Sequence, residues 1–276
     1  MNASPRVLVV TPTLGESEFL ERTVASVAAQ SMDVRHVIAA PESKLPVMRM
    51  RFPGVQAVAD AGRSGGIYGA LNAALQGVNV DWDWFTYIND DDVLLPGFSR
   101  MFHRHVGTAG TEPVVYGTVE LIDENDRRVS EITVESHPKW IPALLQSGIS
   151  PLMQQGTLFR RDIVRRLVGF DTRYRLCADL DFWLRALVGG AKFRHFPVPV
   201  AQFRVRTGQL SGDTGQTERE QAEIVSRLLP KPEPAWKKAA ARLRYRVCNL
   251  PRYLERWRTR GFATSYDLLQ TGGRAS

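Results

Sequence analysis

The chain has 276 residues, 43% hydrophobic and 24% charged, with 36 Lys and Arg against 29 Asp and Glu for a formal charge of +7. That apolar mass repays the ordering entropy of a folded chain, which excludes disorder as the dominant state. No run of about 18 apolar residues is present, which excludes a transmembrane helix, and two cysteines, Cys177 and Cys248, cannot alone build a disulfide framework or a zinc cage.

Residues 1–5 lead into the first strand without the basic segment, apolar core and cleavage site of a secretion signal, so a cytoplasmic protein is expected. Residues 6–10 form a continuous apolar, β-branched run, the mark of a strand buried on both faces. Thr11 to Gly15 stops it. A helix is predicted from Ser17, with Phe19, Leu20, Val24 and Val27 at helical spacing. Strands are predicted at 34–40 and 55–59, a helix at 68–77 and a strand at 84–88. This succession opens an open, mostly parallel α/β sheet flanked by helices. Ligands of such sheets bind beyond the carboxyl ends of the strands. The loops to watch are therefore 11–16, 39–43, 60–66 (with Arg63 and Gly66) and 89–92. A helical segment follows to about residue 229, where Leu229-Pro230-Lys231-Pro232-Glu233-Pro234 denies continuation and marks a boundary. Two regions result, 1–229 and 230–276.

The basic character belongs to the second region. Residues 231–276 hold eleven Lys and Arg against three acids, a balance of +8, which leaves −1 for the rest. Trp236, Ala240, Leu243, Val247 and Leu250 fall at helical spacing, with Lys237, Lys238, Arg242, Arg244 and Arg246 on other faces. Trp257, Phe262 and Tyr266 continue the aromatic content. The pattern is that of an interfacial amphipathic helix drawn to anionic lipid. A helix packed on the body with its charges in water is the other reading. No recognised nucleic-acid module accompanies the basic tail, so no nucleic-acid partner is expected.

Asn89-Asp90-Asp91-Asp92 follows the strand at 84–88 directly. Adjacent acids repel unless something positive offsets them. Magnesium and manganese prefer oxygen ligands, one or two carboxylates completed by phosphate oxygens. The cluster thus reads as a metal–diphosphate site, or as an acidic turn before a helix at Pro96-Gly97. The position at a strand end favours the first.

Several segments, in order, carry a resemblance. They are Val9-Val10-Thr11-Pro12-Thr13, Glu18 to Val27 with Ala29-Gln30-Ser31, and Gly66-Ile67-Tyr68-Gly69-Ala70-Leu71-Asn72. They continue with Tyr87 to Gly97, Tyr116-Gly117 with Glu120 to Asp123, and Gln154 to Arg161. Gly169-Phe170-Asp171 and Ala178-Asp179-Leu180-Asp181-Phe182-Trp183-Leu184-Arg185 complete them. Over about residues 6–212 the chain resembles the family 2 glycosyltransferases of the GT-A fold, especially bacterial enzymes of envelope polysaccharide synthesis.

The resemblance implies a nucleotide-diphosphate sugar across the strand ends, with a UDP-sugar foremost. Thr11, Pro12, Thr13 and Glu16 would flank the nucleotide. Asp91, with Asp90 or Asp92, would engage the diphosphate through Mn2+ or Mg2+. Asp179 aligns with the base that deprotonates the acceptor hydroxyl in a single inverting displacement. That acceptor would be a glycan or lipid-linked glycan, met by an enzyme peripheral on the inner face of the membrane. Asp179 read without the resemblance caps the helix 180–188. Trp183 is either a sugar platform or a core residue. Gln155 would hydrogen-bond sugar or acceptor, and Asn72 belongs to the glycine-tyrosine segment. Arg204 and Arg206 would clamp the diphosphate from the loop through Ser211, or form a solvated basic loop. None of His36, His103, His105, His137 and His195 has ligand spacing.

The chain departs from the family pattern at four places. Ala39-Ala40-Pro41-Glu42-Ser43 lacks the base-recognising Asp, with Glu42 its nearest substitute. Gly69 stands for Asp, Gln154 for His and Asn89 for an acid. The missing acid leaves a second function in view: a non-catalytic sugar-nucleotide-binding or scaffold protein of the same fold.

Overall fold

The computed structural model describes residues 5–132, 134–206, 209 and 213–260. Its strands join in one nine-stranded sheet. The amino half runs β1 (Val7–Pro12), α1 (Leu20–Ala28), β2 (Val34–Pro41), α2 (Leu45–Arg51), β3 (Gln56–Asp60), α3 (Gly66–Gly77) and β4 (Trp84–Tyr87). It continues with β5 (Val93–Leu94), α4 (Pro96–Gly107), β6 (Val114–Ile122), β7 (Arg128–Glu131), α5 (Ile141–Leu145), β8 (Leu158–Arg160) and α6 (Arg161–Leu167). The last elements are α7 (Ala178–Val188), β9 (Phe193–Arg204), α8 (Thr214–Leu228), α9 (Ala235–Cys248) and α10 (Leu250–Arg260).

The sheet order is β3-β2-β1-β4-β8-β6-β9-β5, with β7 on β6. The pairs β3–β2, β2–β1 and β1–β4 are parallel, as expected. Beyond them the sheet is mixed. β8 lies antiparallel between β4 and β6, and β9 runs parallel to β6. The α2 helix between β2 and β3 is absent from the periodicity reading. Parallel neighbours cannot be joined by a tight hairpin and need a crossover connection. Seven residues with Leu45 and Met48 buried supply it.

Alternation along β1 sets the layers. Leu8 and Val10 pack with Tyr68, Leu71 and Ala74 of α3 and Phe182 of α7 on one face. Val7 and Val9 pack with Val27 of α1 and Phe98, Met101 and Phe102 of α4 on the other. Both faces being covered, the strand reads as a continuous apolar run rather than an alternating one. Gly97 lets α4 enter against the sheet, since a Cβ there would lie 1.8 Å from the Pro199 carbonyl oxygen.

The Pro-rich connection after α8 is fastened by one side chain. Gln146 Nε2 donates to the carbonyls of Leu229 (3.0 Å) and Lys231 (2.9 Å), and its Oε1 accepts from Glu233 N–H (2.7 Å). The α9 helix then packs on the body through Ala241 and Tyr245 against Ala143 and Leu144 of α5. The α10 helix is tied to β7, where Arg252 donates to Glu131 (2.5 Å) and Arg128 pairs with Glu255. Phe262, Tyr266, Arg274, Gly208 and Ser211 lie outside the described residues.

Candidate active site

A cleft of about 1820 Å³ opens at the carboxyl ends of β1, β3 and β4. Pockets for one drug-sized ligand run to roughly 300–1,000 Å³, so this cleft has room for two substrates. Pro12, Thr13, Glu16, Asp60, Arg63, Gly66, Asp90, Asp91, Gln155, Asp179, Trp183 and Arg206 all line it. Asp179 is 88 residues from Asp91 in sequence, and the fold brings both to one cavity.

The acidic loop is held from all sides. Thr13 Oγ1 donates to Asp90 Oδ2 at 2.5 Å, and Ser17 Oγ donates to the Asp90 carbonyl at 2.9 Å. Burial, with the charge of Asp91 added, pushes the Asp90 carboxyl up to about 6, against the opposing pull of the Thr13 hydrogen bond. Asp91 meets Arg206 Nε at 2.9 Å, and the Arg206 side chain is 40% exposed.

Asp92 faces inward. It has no solvent contact, and its Oδ1 accepts from Arg204 N–H (2.9 Å). Its Oδ2 accepts from Gln155 Nε2 (3.0 Å) and Asn89 Nδ2 (3.3 Å). Burial raises its pKa well above the ordinary value, helped by Asp91. The acidic pair that faces the cleft is therefore Asp90 and Asp91, rather than Asp91 and Asp92.

Arg204 differs from its expected place in a solvated or clamping loop. Its side chain is wholly buried at the end of β9. It donates to the carbonyls of Asp91 (2.8 Å) and Asp123 (2.9 Å) and to Asp126 (2.6 Å), and lies over the Phe19 ring. With those partners it frames the loop and has no reach into the cleft. Arg206, two residues on, does line the cleft.

Asp179 sits one residue inside α7, whose N-cap is Cys177 rather than Asp179. Its Oδ1 accepts the Leu180 N–H at 2.8 Å. The Tyr68 hydroxyl lies 2.9 Å from the Leu176 carbonyl and 3.2 Å from the same Oδ1. That hydroxyl has one proton for two acceptors. Burial dominates these contacts and raises the Asp179 carboxyl from 3.8 to about 6. The loop before it is set by Glu220 of α8, whose carboxylate accepts the N–H groups of Arg175 (3.0 Å), Leu176 (2.8 Å) and Cys177 (2.9 Å).

The glycine-tyrosine segment acts as a brace. Gly66 opens α3 with φ +62° and lines the cleft. Tyr68 supports Asp179 from below. Asn72 lies away from the cleft lining, bonding the Phe170 carbonyl and N–H at 2.8 Å each. Trp183 is 4% exposed and both lines the cleft and belongs to the core. Arg185 bonds Asp181 (2.6 Å) and the carbonyls of Leu167 and Gly169, a structural tie.

Two further expectations fall outside the lining. Thr11 is buried, with its Oγ1 2.9 Å from His36 Nε2. Burial pushes that histidine down to about 4, so the ring is neutral at physiological pH. Glu42 is exposed beyond the cleft, at the start of a 3₁₀ turn after β2. The acid that does face the cleft nearby is Asp60, at the end of β3, where burial raises its pKa. Glu16 and Arg63 pair at 2.7 Å across the rim. Asp60, Tyr68 and Glu220 join the site residues expected from the sequence. Asp60 was legible as the last residue before a glycine-rich turn at a strand end; Glu220 had no local signal.

Among the described residues, no three or more His, Cys, Asp or Glu side chains converge to hold a metal ion. Two carboxylates on one loop, with a hydroxyl beside them, are nonetheless an oxygen-only set of the kind hard cations accept when phosphate oxygens complete it.

The fold, a parallel amino half continued by a mixed sheet and flanked by helices, resembles GT-A glycosyltransferase structures. Similar solved structures include S. aureus TarS 1-349 in complex with UDP-GlcNAc, at TM-score 0.63 and 14% identity over 93% of this chain and 75% of that one. Another is the mannosyltransferase PcManGT from Pyrobaculum calidifontis in complex with GDP-Man and Mn2+, at TM-score 0.58 and 16% identity over 96% and 77%. The chain belongs to glycosyl transferase family 2, whose profile matches residues 8–168. A search of curated proteins gave no match.

Proposed function

We propose that the protein transfers a hexose-type sugar from a nucleoside-diphosphate sugar, with a UDP-sugar first, to a hydroxyl of a glycan or lipid-linked glycan, inverting the anomeric centre. The observation that carries this reading is the meeting of Asp179 with the Asp90–Asp91 loop in one cleft with volume for donor and acceptor together. Family membership and the sugar-nucleotide complexes of the similar structures support the donor class.

Thr13 and Pro12 would bound the nucleotide, with Asp60 rather than Glu42 as the acid near the base or ribose. Arg206 would turn from Asp91 to the diphosphate, trading one ion pair for another. Mn2+ or Mg2+ held by Asp90 and Asp91 would neutralise charge on the leaving diphosphate. Gln155 and Trp183 would orient sugar and acceptor. Asp179 would accept the proton of the attacking hydroxyl. A base with a pKa near 6 is ionised at neutral pH yet far more basic than an ordinary carboxylate. One base and one displacement invert the centre.

Residues 1–229 would form the transferase region and 230–276 its extension. Among the described residues no helix is long and apolar enough to cross a membrane. We place the protein on the cytoplasmic side, where sugar nucleotides are made.

The test incubates the purified chain with UDP-, GDP-, dTDP- and CMP-sugars, each with and without manganese, and follows nucleotide release with a glycan acceptor. Acceptor-dependent release from one donor supports the reading. Nucleotide binding without release from any donor points to the non-catalytic alternative, which the absence of the family's Asp from residues 39–43 favours.

A further inference from the structure

The α9 helix presents two apolar stripes on opposite sides. Ala241 and Tyr245 face the body and are buried. Trp236, Leu243 and Val247, at i, i+7 and i+11, lie within about 40° of one another at 3.6 residues per turn, and about 160° from that buried pair. They are 69%, 64% and 61% exposed. Leu250, Leu254 and Trp257 repeat the stripe on α10, each more than 40% exposed. A helix apolar on both sides normally has a partner on both sides. The body supplies one, and solvent meets the other.

The charge around the stripe is one-sided. Residues 231–258 hold nine Lys and Arg against two acids, a balance of +7. Arg242 and Arg246 lie along one side of the stripe and are exposed, as are Lys231 and Arg258. A second copy of the chain would bring that positive charge against itself. A nucleic-acid backbone would match the charge but offers nothing apolar for Trp236, Leu243 and Val247. An anionic lipid surface matches both, taking the apolar side chains to the depth of the acyl boundary and the arginines among headgroups.

We propose that the outer face of α9 and α10 docks the protein on an anionic bilayer. Tyr245, Arg246, Leu254 and Trp257 also line the cleft, so docking sets the cleft mouth at the membrane surface. An acceptor with a lipid anchor then reaches Asp179 from the bilayer without leaving it. This last step rests on the transferase reading, whereas docking does not.

The experiment is co-sedimentation of the full chain with vesicles of phosphatidylcholine alone and of phosphatidylcholine with 30% phosphatidylglycerol. Each lysine or arginine near an anionic surface multiplies partitioning by about fivefold. Binding to the anionic vesicles should therefore exceed that to neutral ones at least tenfold, and weaken in 0.5 M salt. Leu243→Glu with Val247→Glu should lower it at least tenfold. Both sites are exposed, so far-UV circular dichroism and melting should not change. Equal binding to both vesicle types would overturn the proposal, as would a double variant that binds like wild type. So would a dimer in solution that the double variant converts to monomer, since a second copy would then cover the stripe. Vesicle binding without transferase activity would uphold docking and remove only the anchored-acceptor step.

Discussion

Replacing Asp179 by Asn should move stability and activity in opposite directions. The carboxyl is raised from 3.8 to about 6 because burial penalises its charge. In the window between those values the folded protein binds this proton more tightly than the unfolded chain does. Stability therefore falls as pH rises from about 4 to about 6, and the penalty is complete above that. A shift of this size corresponds to ~3 kcal/mol, at 1.36 kcal/mol per unit. Partial solvent contact at Asp179 reduces it to about 2 kcal/mol. Asparagine has the same shape and keeps an Oδ1 for the Leu180 N–H and the Tyr68 hydroxyl. Asp179→Asn should thus be more stable than wild type by about 2 kcal/mol at pH 7.5, and equal to it at pH 3.5. At roughly 2–4 °C per kcal/mol for a chain near this size, the melting point should rise by about 4–8 °C. Transfer should drop by about 10²–10⁴-fold above pH 6, with the gap narrowing at lower pH, where the wild-type base is protonated and its rate falls. Urea denaturation at the two pH values and donor turnover measure both. A stability difference that ignores pH would refute the burial argument, and near-normal transfer would refute the base assignment.

Other substitutions separate framing residues from those in the cleft. Arg204→Met should cost about 3 kcal/mol in urea denaturation, since it strips donors from two carbonyls and Asp126 in a buried setting; unchanged stability would return Arg204 to a ligand-binding role. Glu220→Gln should lower kcat about tenfold with the donor KM unchanged, because it loosens the 175–177 turn that carries Asp179. The charge of Glu220 also raises the Asp179 pKa, so the acid limb of the pH–rate profile should move down. An unmoved limb would make Glu220 a purely structural tie.

What could be read from the residues follows the range of the interactions. The strands at 6–10, 34–40 and 84–88 are apolar runs closed by turn residues, and each lies within a residue or two of β1, β2 and β4. Their strand ends located the cleft, because a parallel sheet places its loops by rule. The mixed half was harder. β8 has three residues, and its antiparallel place between β4 and β6 depends on partners some 40 and 75 residues distant. Side-chain direction was harder still. Asp90, Asp91 and Asp92 are alike in sequence, and the one that turns inward is marked by donors from distant residues, the Arg204 backbone N–H and Gln155. The same holds for the tail, where one apolar period fits either a packed or an interfacial helix. The structure packs Ala241 and Tyr245 on the body and leaves Trp236, Leu243 and Val247 exposed.

The closure of the acidic loop by the last strand has a consequence for shortened chains. Asp92 is fully buried, and the groups that satisfy it include Gln155 and the Arg204 backbone. A chain that reaches only residue 168, where the family profile ends, contains the whole acidic loop but has no partner for one oxygen of that acid. Burying that carboxylate without its partners costs free energy, so the closed loop requires residue 204 to be in place. A fragment cut at the profile boundary would therefore carry the family signature without the frame that aims Asp90 and Asp91 at the cleft.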